Sequence, residues 1–252
     1  MSDTAAGILA QAEEYERALP GAPRAIPAPV GAELARWIDH TLLKPEATAA
    51  QIGKLCDEAR QANFATVCVN PSFVPLAARA LAGSGTAVCT VCAFPLGASL
   101  PELKAAEARG LMERGAAEVD MVINIGALKS RDISLALEDV RAVAEALAGK
   151  ARLKVILEMA LLTQTEKIIG CLVCKSAGAD FVKTSTGFAQ SGATVEDVEL
   201  MRRVVGAQMG VKAAGGIRSL KDAKAMIAAG ASRIGTSGGV SILQEALQGA
   251  AA

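Results

Sequence analysis

The chain has 252 residues, with 26 Lys and Arg against 26 Asp and Glu, so its formal charge at pH 7 is zero. That balance gives no electrostatic reason to expect nucleic acid or an anionic membrane as partner, and no apolar run reaches the ~18 residues of a membrane span. The single histidine, His40, excludes zinc sites built on several histidines of one chain.

Residues 1–30 differ in character from the rest. The stretch ILAQAEEYERAL is amphipathic, and PGAPRAIPAPVG is too rich in proline for regular structure, so an N-terminal arm is expected ahead of a domain covering 31–252. The start lacks the basic and apolar regions of a secretory signal, and a cytoplasmic location is the expectation. From Arg36 onward, short β-branched runs alternate with Ala-rich helical periods. Candidate strands are RWIDHT, FATVCVN, TAVCTVC, EVDMVIN, RLKVILE, FVKTST, GVKAAG and SRIGTS. Helix starts are signalled by Thr48/Gln51, Ser99/Glu102, Thr163/Glu166, Thr194/Asp197 and Ser219/Asp222. Eight strands alternating with helices predict a parallel sheet, either open and doubly wound or closed as a (β/α)8 TIM barrel; the repeat length favours the single-domain barrel. At 52% apolar residues the chain can fill such a core, and barrels of about 250 residues are ordinary as one unit.

A weak internal repeat supports closure. Gly115 to Asp120, Gly178 to Lys183 and Gly230 to Gly235 share a helix-ending glycine and a strand whose fifth step is Asp120, Lys183 or Gly235. These fall on the fourth, sixth and eighth strands, so an acid, an amine and a gap are expected at one level of the interior. The paired cysteines do not read as a metal site. Cys89 and Cys92 lie three apart on a strand and face opposite sides, whereas Cys171 and Cys174 share a helix face and are expected to pack as small hydrophobes.

Strands covered on both faces should be continuously apolar. Here Asp39, Asp120, Lys154, Lys183 and Lys212 interrupt them. Any one could be a strand-end charge reaching water, but five of mixed sign point to a working site. A free lysine titrates near ~10.4, leaving about 0.04% as the nucleophilic amine at pH 7. A second ammonium or burial can lower that to about 7 to 8. Lys183 and Lys212, on neighbouring strands, could form such a couple, with Asp120 moving protons next to an imine. Gly215-Gly216 after strand seven, and Gly235 to Gly239 after strand eight, sit where such barrels bind phosphate. Gly235-x-Ser237-x-Gly239 also matches a hydrolase nucleophile elbow, but no histidine follows it. His40 reads equally well as a structural hydrogen-bonder or a site-lining residue.

Six ordered blocks then resemble a known family. IDHTLLKP (38–45), VCVNP (67–71), EVD (118–120), LKVILE (153–158), FVKTSTGF (181–188) and KAAGGIR (212–218) are similar to those of the 2-deoxy-D-ribose-5-phosphate aldolases, from about residue 34 onward. The resemblance implies a class I aldolase on a (β/α)8 barrel, reversibly cleaving 2-deoxy-D-ribose 5-phosphate to D-glyceraldehyde 3-phosphate and acetaldehyde. It implies Lys183 as the Schiff-base lysine, Lys212 as the amine that activates it, and Asp120 as the acid working with a water. Asp39, Thr41, Cys68, Lys154 and Thr186 match positions lining that pocket, and Gly187, Gly215, Gly216, Ser237 and Gly238 match its phosphate loops. Neither a metal nor another cofactor is implied, and partners are limited to the small substrates, with a homo-oligomer allowed. Two residues depart from some members: Phe188 stands where they carry lysine, and Ala213 where they carry proline. Competing expectations are another Schiff-base aldolase, a phospho-sugar isomerase, or a barrel that binds without turnover.

Overall fold

A computed structural model describes residues 4–23 and 27–250. Eight parallel strands close into a barrel in sequence order: β1 Ile38–Leu42, β2 Thr66–Val69, β3 Ala87–Cys92, β4 Glu118–Val122, β5 Arg152–Ile156, β6 Phe181–Lys183, β7 Gly210–Ala214 and β8 Arg233–Thr236. The ring closes where β1 pairs with β8, Asp39 opposite Gly235. The helices are α1 Ala5–Arg17, α2 Ala49–Ala62, α3 Val74–Ala80, α4 Pro101–Glu113, α5 Ile125–Lys129, α6 Ile133–Leu147, α7 Gln164–Ser176, α8 Val195–Val205, α9 Leu220–Ala228 and α10 Gly239–Ala250. Among the described residues no helix is long and apolar enough to cross a membrane.

Helix starts follow the local chemistry at four of the five expected places. Thr48, Thr163, Thr194 and Ser219 each accept the backbone N–H three residues on, and three of them complete a reciprocal box through Gln51, Glu166 and Asp222. Ser99 does not cap. α4 begins one residue later, with Leu100 at the cap and Pro101 as the first helical residue, because proline's fixed φ starts a helix and its missing N–H needs no partner there. The repeated glycines end α4, α7 and α9 with φ of 108°, 84° and 112° at Gly115, Gly178 and Gly230, a region that other L-residues enter at a cost.

Every strand is shorter than its expected segment, and β1 and β6 show why. Arg36 and Trp37 belong to a 3₁₀ turn, Gly31–Trp37, ahead of β1. β6 stops at Lys183 because the next residues turn to other partners. Thr184 Oγ1 donates to Ala214 O and accepts from Ala214 N, both at 3.1 Å.

The amphipathic start is a helix docked on the barrel's outer layer, with Ile8 and Ala12 buried. Residues 18–23 and 27–30 lack regular structure, and residues 24–26 of the proline-rich stretch lie outside the described residues. Outward-facing strand residues such as Val67, Val119, Val155, Val182, Val211 and Ile234 join the inner faces of the helices in one apolar core. A smaller apolar group, Leu43, Cys68, Cys89, Val91 and Phe94, lies apart from it.

Candidate active site

The strand period of two decides which side chains enter the barrel. On β4 it sends Glu118 and Asp120 inward, on β5 Lys154, on β6 Lys183, on β7 Lys212 and on β8 Arg233. Register sets Asp120 beside Lys154 and Lys183 beside Lys212. Asp120 is the hub. Its Oδ1 accepts from Lys154 Nζ at 2.7 Å, and its Oδ2 accepts from both Lys183 Nζ at 2.8 Å and Lys212 Nζ at 2.6 Å. Two amines from adjacent strands thus meet on one carboxylate oxygen. Lys212 Nζ also lies 2.5 Å from Asp39 Oδ2.

The expected gap at Gly235 has a specific use. A Cβ there would meet Lys212 Cε at 3.0 Å, so the missing side chain is the space through which Lys212 reaches the centre. Asp120, Asp39 and Lys154 are fully buried, and Lys183 and Lys212 are 2% and 1% exposed; only the two lysines break through to the cavity above.

The electrostatics follow from this crowding. Burial raises Asp120, but Lys154, Lys183 and Lys212 together hold it well below the usual carboxylate range. Burial likewise opposes ionisation of Asp39, and Lys212, Lys154 and Arg233 override it. Burial lowers Lys212, yet Asp120 and Asp39 outweigh it and keep Lys212 above the ordinary lysine value, a firm ammonium at neutral pH.

A cavity of about 410 Å³ opens over this floor. Thr41, Lys183, Thr186, Gly187, Lys212, Gly215, Gly216 and Ser237 line it. Asp39, Asp120, Cys68 and Lys154 lie beneath its lining instead. Gly238 leads into α10, but its N–H already donates to Thr236 Oγ1 at 2.9 Å. Phe188 stands 52% exposed at the wall, edge-on to Phe94 at 5.3 Å, so an apolar ring occupies the place of a lysine. Lys44 and Arg218 supply cations on the same wall. Ala213 points outward into the core.

Several partners escaped the sequence reading. Glu118 and Arg233 belong to the buried cluster, Arg233 Nη1 donating to Asp39 Oδ1 at 2.6 Å and Glu118 Oε2 at 2.9 Å. The signal was present: each lies two residues before a recognised position, Asp120 or Gly235, and so on the same strand face. Glu158, the last residue of the block LKVILE, accepts from Thr186 Oγ1 at 2.5 Å and from Thr186 N at 3.2 Å, pinning the turn after β6. Cys89, expected only to pack, touches the cluster through Lys154 Nζ at 3.1 Å and Asp120 Oδ1 at 3.2 Å. Cys92 faces the other way, against Lys104 and Glu107, and Cys171 and Cys174 are buried on α7. His40 turns away from the cavity to pair with Glu58 at 2.8 Å, a structural role.

Donor atoms of Cys68, Cys89 and Asp120, and of Asp39, Cys89 and Glu118, come within metal-binding reach of one another. The carboxylates among them are already occupied by ammonium and guanidinium groups, whose charge opposes a cation.

An amine held at the strand-end face of a (β/α)8 barrel, with a second ammonium beside it and glycine turns across the cavity, is the equipment of class I aldolases. The chain belongs to the DeoC/LacD family of aldolases, whose family model matches residues 34–249. It is 59% identical over 212 residues to the deoxyribose-phosphate aldolase of Streptococcus gordonii, covering 84% of this chain and 96% of the relative. A provisionally assigned deoxyribose-phosphate aldolase from Coccidioides immitis superposes with a TM-score of 0.90 at 40% identity, over 96% of this chain and 97% of that one. The tetrameric deoxyribose phosphate aldolase of Aeropyrum pernix gives 0.80 at 33% identity, over 96% and 97%.

Proposed function

We propose that the chain reversibly cleaves 2-deoxy-D-ribose 5-phosphate to D-glyceraldehyde 3-phosphate and acetaldehyde, with Lys183 as nucleophile. The observation that carries this is the meeting of Lys183 and Lys212 on Asp120 Oδ2 at the floor of an open cavity. In the synthetic direction the free amine of Lys183 attacks the acetaldehyde carbonyl carbon, and loss of water leaves an iminium. A proton then leaves the methyl carbon and its electron pair forms the enamine. Asp120, resting as a carboxylate, is suited to accept that proton directly or through a water. It begins the cycle as a base and acts as an acid only after taking the proton.

The enamine carbon attacks the aldehyde carbon of glyceraldehyde 3-phosphate, and hydrolysis of the new iminium frees Lys183. Lys212 keeps its proton throughout and opposes a second ammonium beside it. The turns at Gly187, Gly215-Gly216 and Ser237, with Lys44 and Arg218 on the wall, are suited to hold the phosphate through amides and charge; the two exposed cations compensate for Phe188. Thr41 and Thr186 offer hydroxyls to the sugar. Asp39, Lys154 and Cys68 shape the floor from below. The tetrameric relative supports self-association of this chain too, and six buried, unpaired cysteines fit the reducing cytoplasm.

Borohydride added with acetaldehyde tests the mechanism and its address together. A two-carbon adduct mapped to Lys183 is the expected result. Cleavage activity without any adduct would favour an isomerase-like chemistry, and an adduct on a different lysine would reassign the nucleophile.

A further inference from the structure

Every strand contributes to the buried cluster: Asp39 from β1, Cys68 from β2, Cys89 from β3, Glu118 and Asp120 from β4, Lys154 from β5, Lys183 from β6, Lys212 from β7 and Arg233 from β8. Three of these are carboxylates and four are bases. With all four bases charged, the interior carries one positive charge in excess, far from water. An uncompensated charge in such a place is expensive, and a titratable group relieves it by changing its protonation state.

The bases are not equivalent as sources of that proton. Arg233 cannot give it up and is held by Asp39, Glu118 and the ring of Phe181 at 5.5 Å. Lys154 lies 2.6 Å from Glu118, 2.7 Å from Asp120 and 3.6 Å from Asp39. Lys212 has both Asp39 and Asp120. Lys183 has Asp120 alone and faces the cavity, where a departing proton can reach water. Of the two thiols, Cys89 is pushed well up by burial, whereas its hydrogen bond to Cys68 and the charge of Lys212 draw Cys68 down against burial, so Cys68 is the competing site for the excess. Charges outside the cluster add little: Arg152 approaches Glu118 only at 3.6 Å with its side chain 59% exposed, and Lys44 and Arg218 are solvated.

We propose that Arg233, balanced against Glu118, sets the charge count of the barrel interior so that Lys183 is the base that rests uncharged. Arg233 and Glu118 are then positioning residues acting through the cluster, with no contact to substrate. The inference rests on the reading of Lys183 as nucleophile. It extends activation beyond the neighbouring Lys212 to a guanidinium at the far end of the barrel.

The test is the acid limb of the kcat/KM against pH profile for deoxyribose 5-phosphate cleavage, which reports the free enzyme. Arg233→Gln removes the excess charge, so Lys183 keeps its proton; the limb should move up by about one pH unit or more, with activity recovering in alkaline buffer. Glu118→Gln raises the excess and should move the limb down, the opposite sign. Arg233→Lys should keep the wild-type profile. Near-ultraviolet circular dichroism checks folding, and if Arg233→Gln does not fold, the near-isosteric Glu118→Gln carries the prediction alone. Limbs unmoved, or moved the same way, in folded variants would overturn the charge-balance proposal. So would a thiolate absorbance from Cys68 at neutral pH, because that thiol would then be absorbing the excess. Wild-type enzyme that neither turns over nor forms the borohydride adduct would instead sink the aldolase reading itself.

Discussion

Lys183 owes its reactivity to what surrounds one carboxylate oxygen. Replacing it with alanine removes one of the two amines that touch Asp120 and face the cavity, the one proposed to attack the carbonyl. Turnover of deoxyribose 5-phosphate should fall by about 10⁴ or more, with the borohydride adduct lost. Lys212→Leu leaves the nucleophile but deletes the neighbouring ammonium, and turnover at pH 7 should fall by roughly 10²-fold with the acid limb displaced to higher pH. An unchanged profile in that variant would assign Lys212 to substrate contact instead. Asp120 carries a stability consequence as well. Its folded value, like that of Asp39, lies below the unfolded value of about 3.9, so the stabilisation is fully present above about pH 4 and is lost as pH falls through the lower folded value. These two groups therefore leave the melting temperature flat from pH 7 to 5. Asp120→Asn leaves the Lys154 and Lys212 ammonium groups against a neutral amide and should cost about 3–5 kcal/mol, measured by denaturant titration at pH 7.

Between elements, the turn after β6 and the turn after β7 support each other. Ala193 N donates to Gly215 O at 3.0 Å, and a Cβ on Gly192 would sit 2.1 Å from that same carbonyl oxygen. Gly192→Ala must push the two turns apart. Because Gly215 and Gly216 are proposed to hold phosphate, KM for deoxyribose 5-phosphate should rise by about tenfold or more, whereas adduct formation with acetaldehyde, which has no phosphate, should change little. Equal losses in both assays would mean that the displacement reaches Lys183. Capping is the other local device: Thr163→Ala should cost about 1 kcal/mol, read from chemical unfolding. This local chemistry is also what made the fold legible. Strand cores are apolar runs and helix caps are pairs three residues apart, so eight strands and four of five caps follow from short windows of sequence. Ser99 misled because Pro101, not a side-chain cap, starts α4. Thr184 and Thr186 misled because β-branched residues look like strand, whereas the hydroxyl of Thr184 bonds across to Ala214. Glu118 and Arg233 meet across 115 positions of sequence, a pairing that no local pattern contains; only their two-residue spacing from Asp120 and Gly235 pointed inward.

At the scale of the whole chain, α1 acts as a strap. The family match begins at residue 34, so this helix lies outside what the aldolase model describes, yet it is packed. It lies on α6 and α7, buries Ile8 and Ala12, and hydrogen-bonds α7 through Glu16 and Thr165. Beyond it, Arg203 of α8 donates to the carbonyls of Pro20 at 2.8 Å and Leu19 at 3.2 Å. The three helices it ties together lead into β5, β6 and β7, the strands that carry Lys154, Lys183 and Lys212. Those lysines are nonetheless held by sheet register and by their own carboxylates, which lie on β1 and β4. The strap should therefore add stability without tuning chemistry. Ile8→Asp puts a charge against the α6–α7 surface, and α1 undocks instead of burying it. The loss is bounded by the docking energy of one short helix, about 2–4 kcal/mol, which for a barrel of this size lowers the melting temperature by roughly 4–12 °C. Limited proteolysis should then cut faster within residues 18–23 while kcat/KM stays at the wild-type value. A fall in kcat/KM in parallel with the melting temperature would instead make the strap part of what keeps the three lysine strands in register.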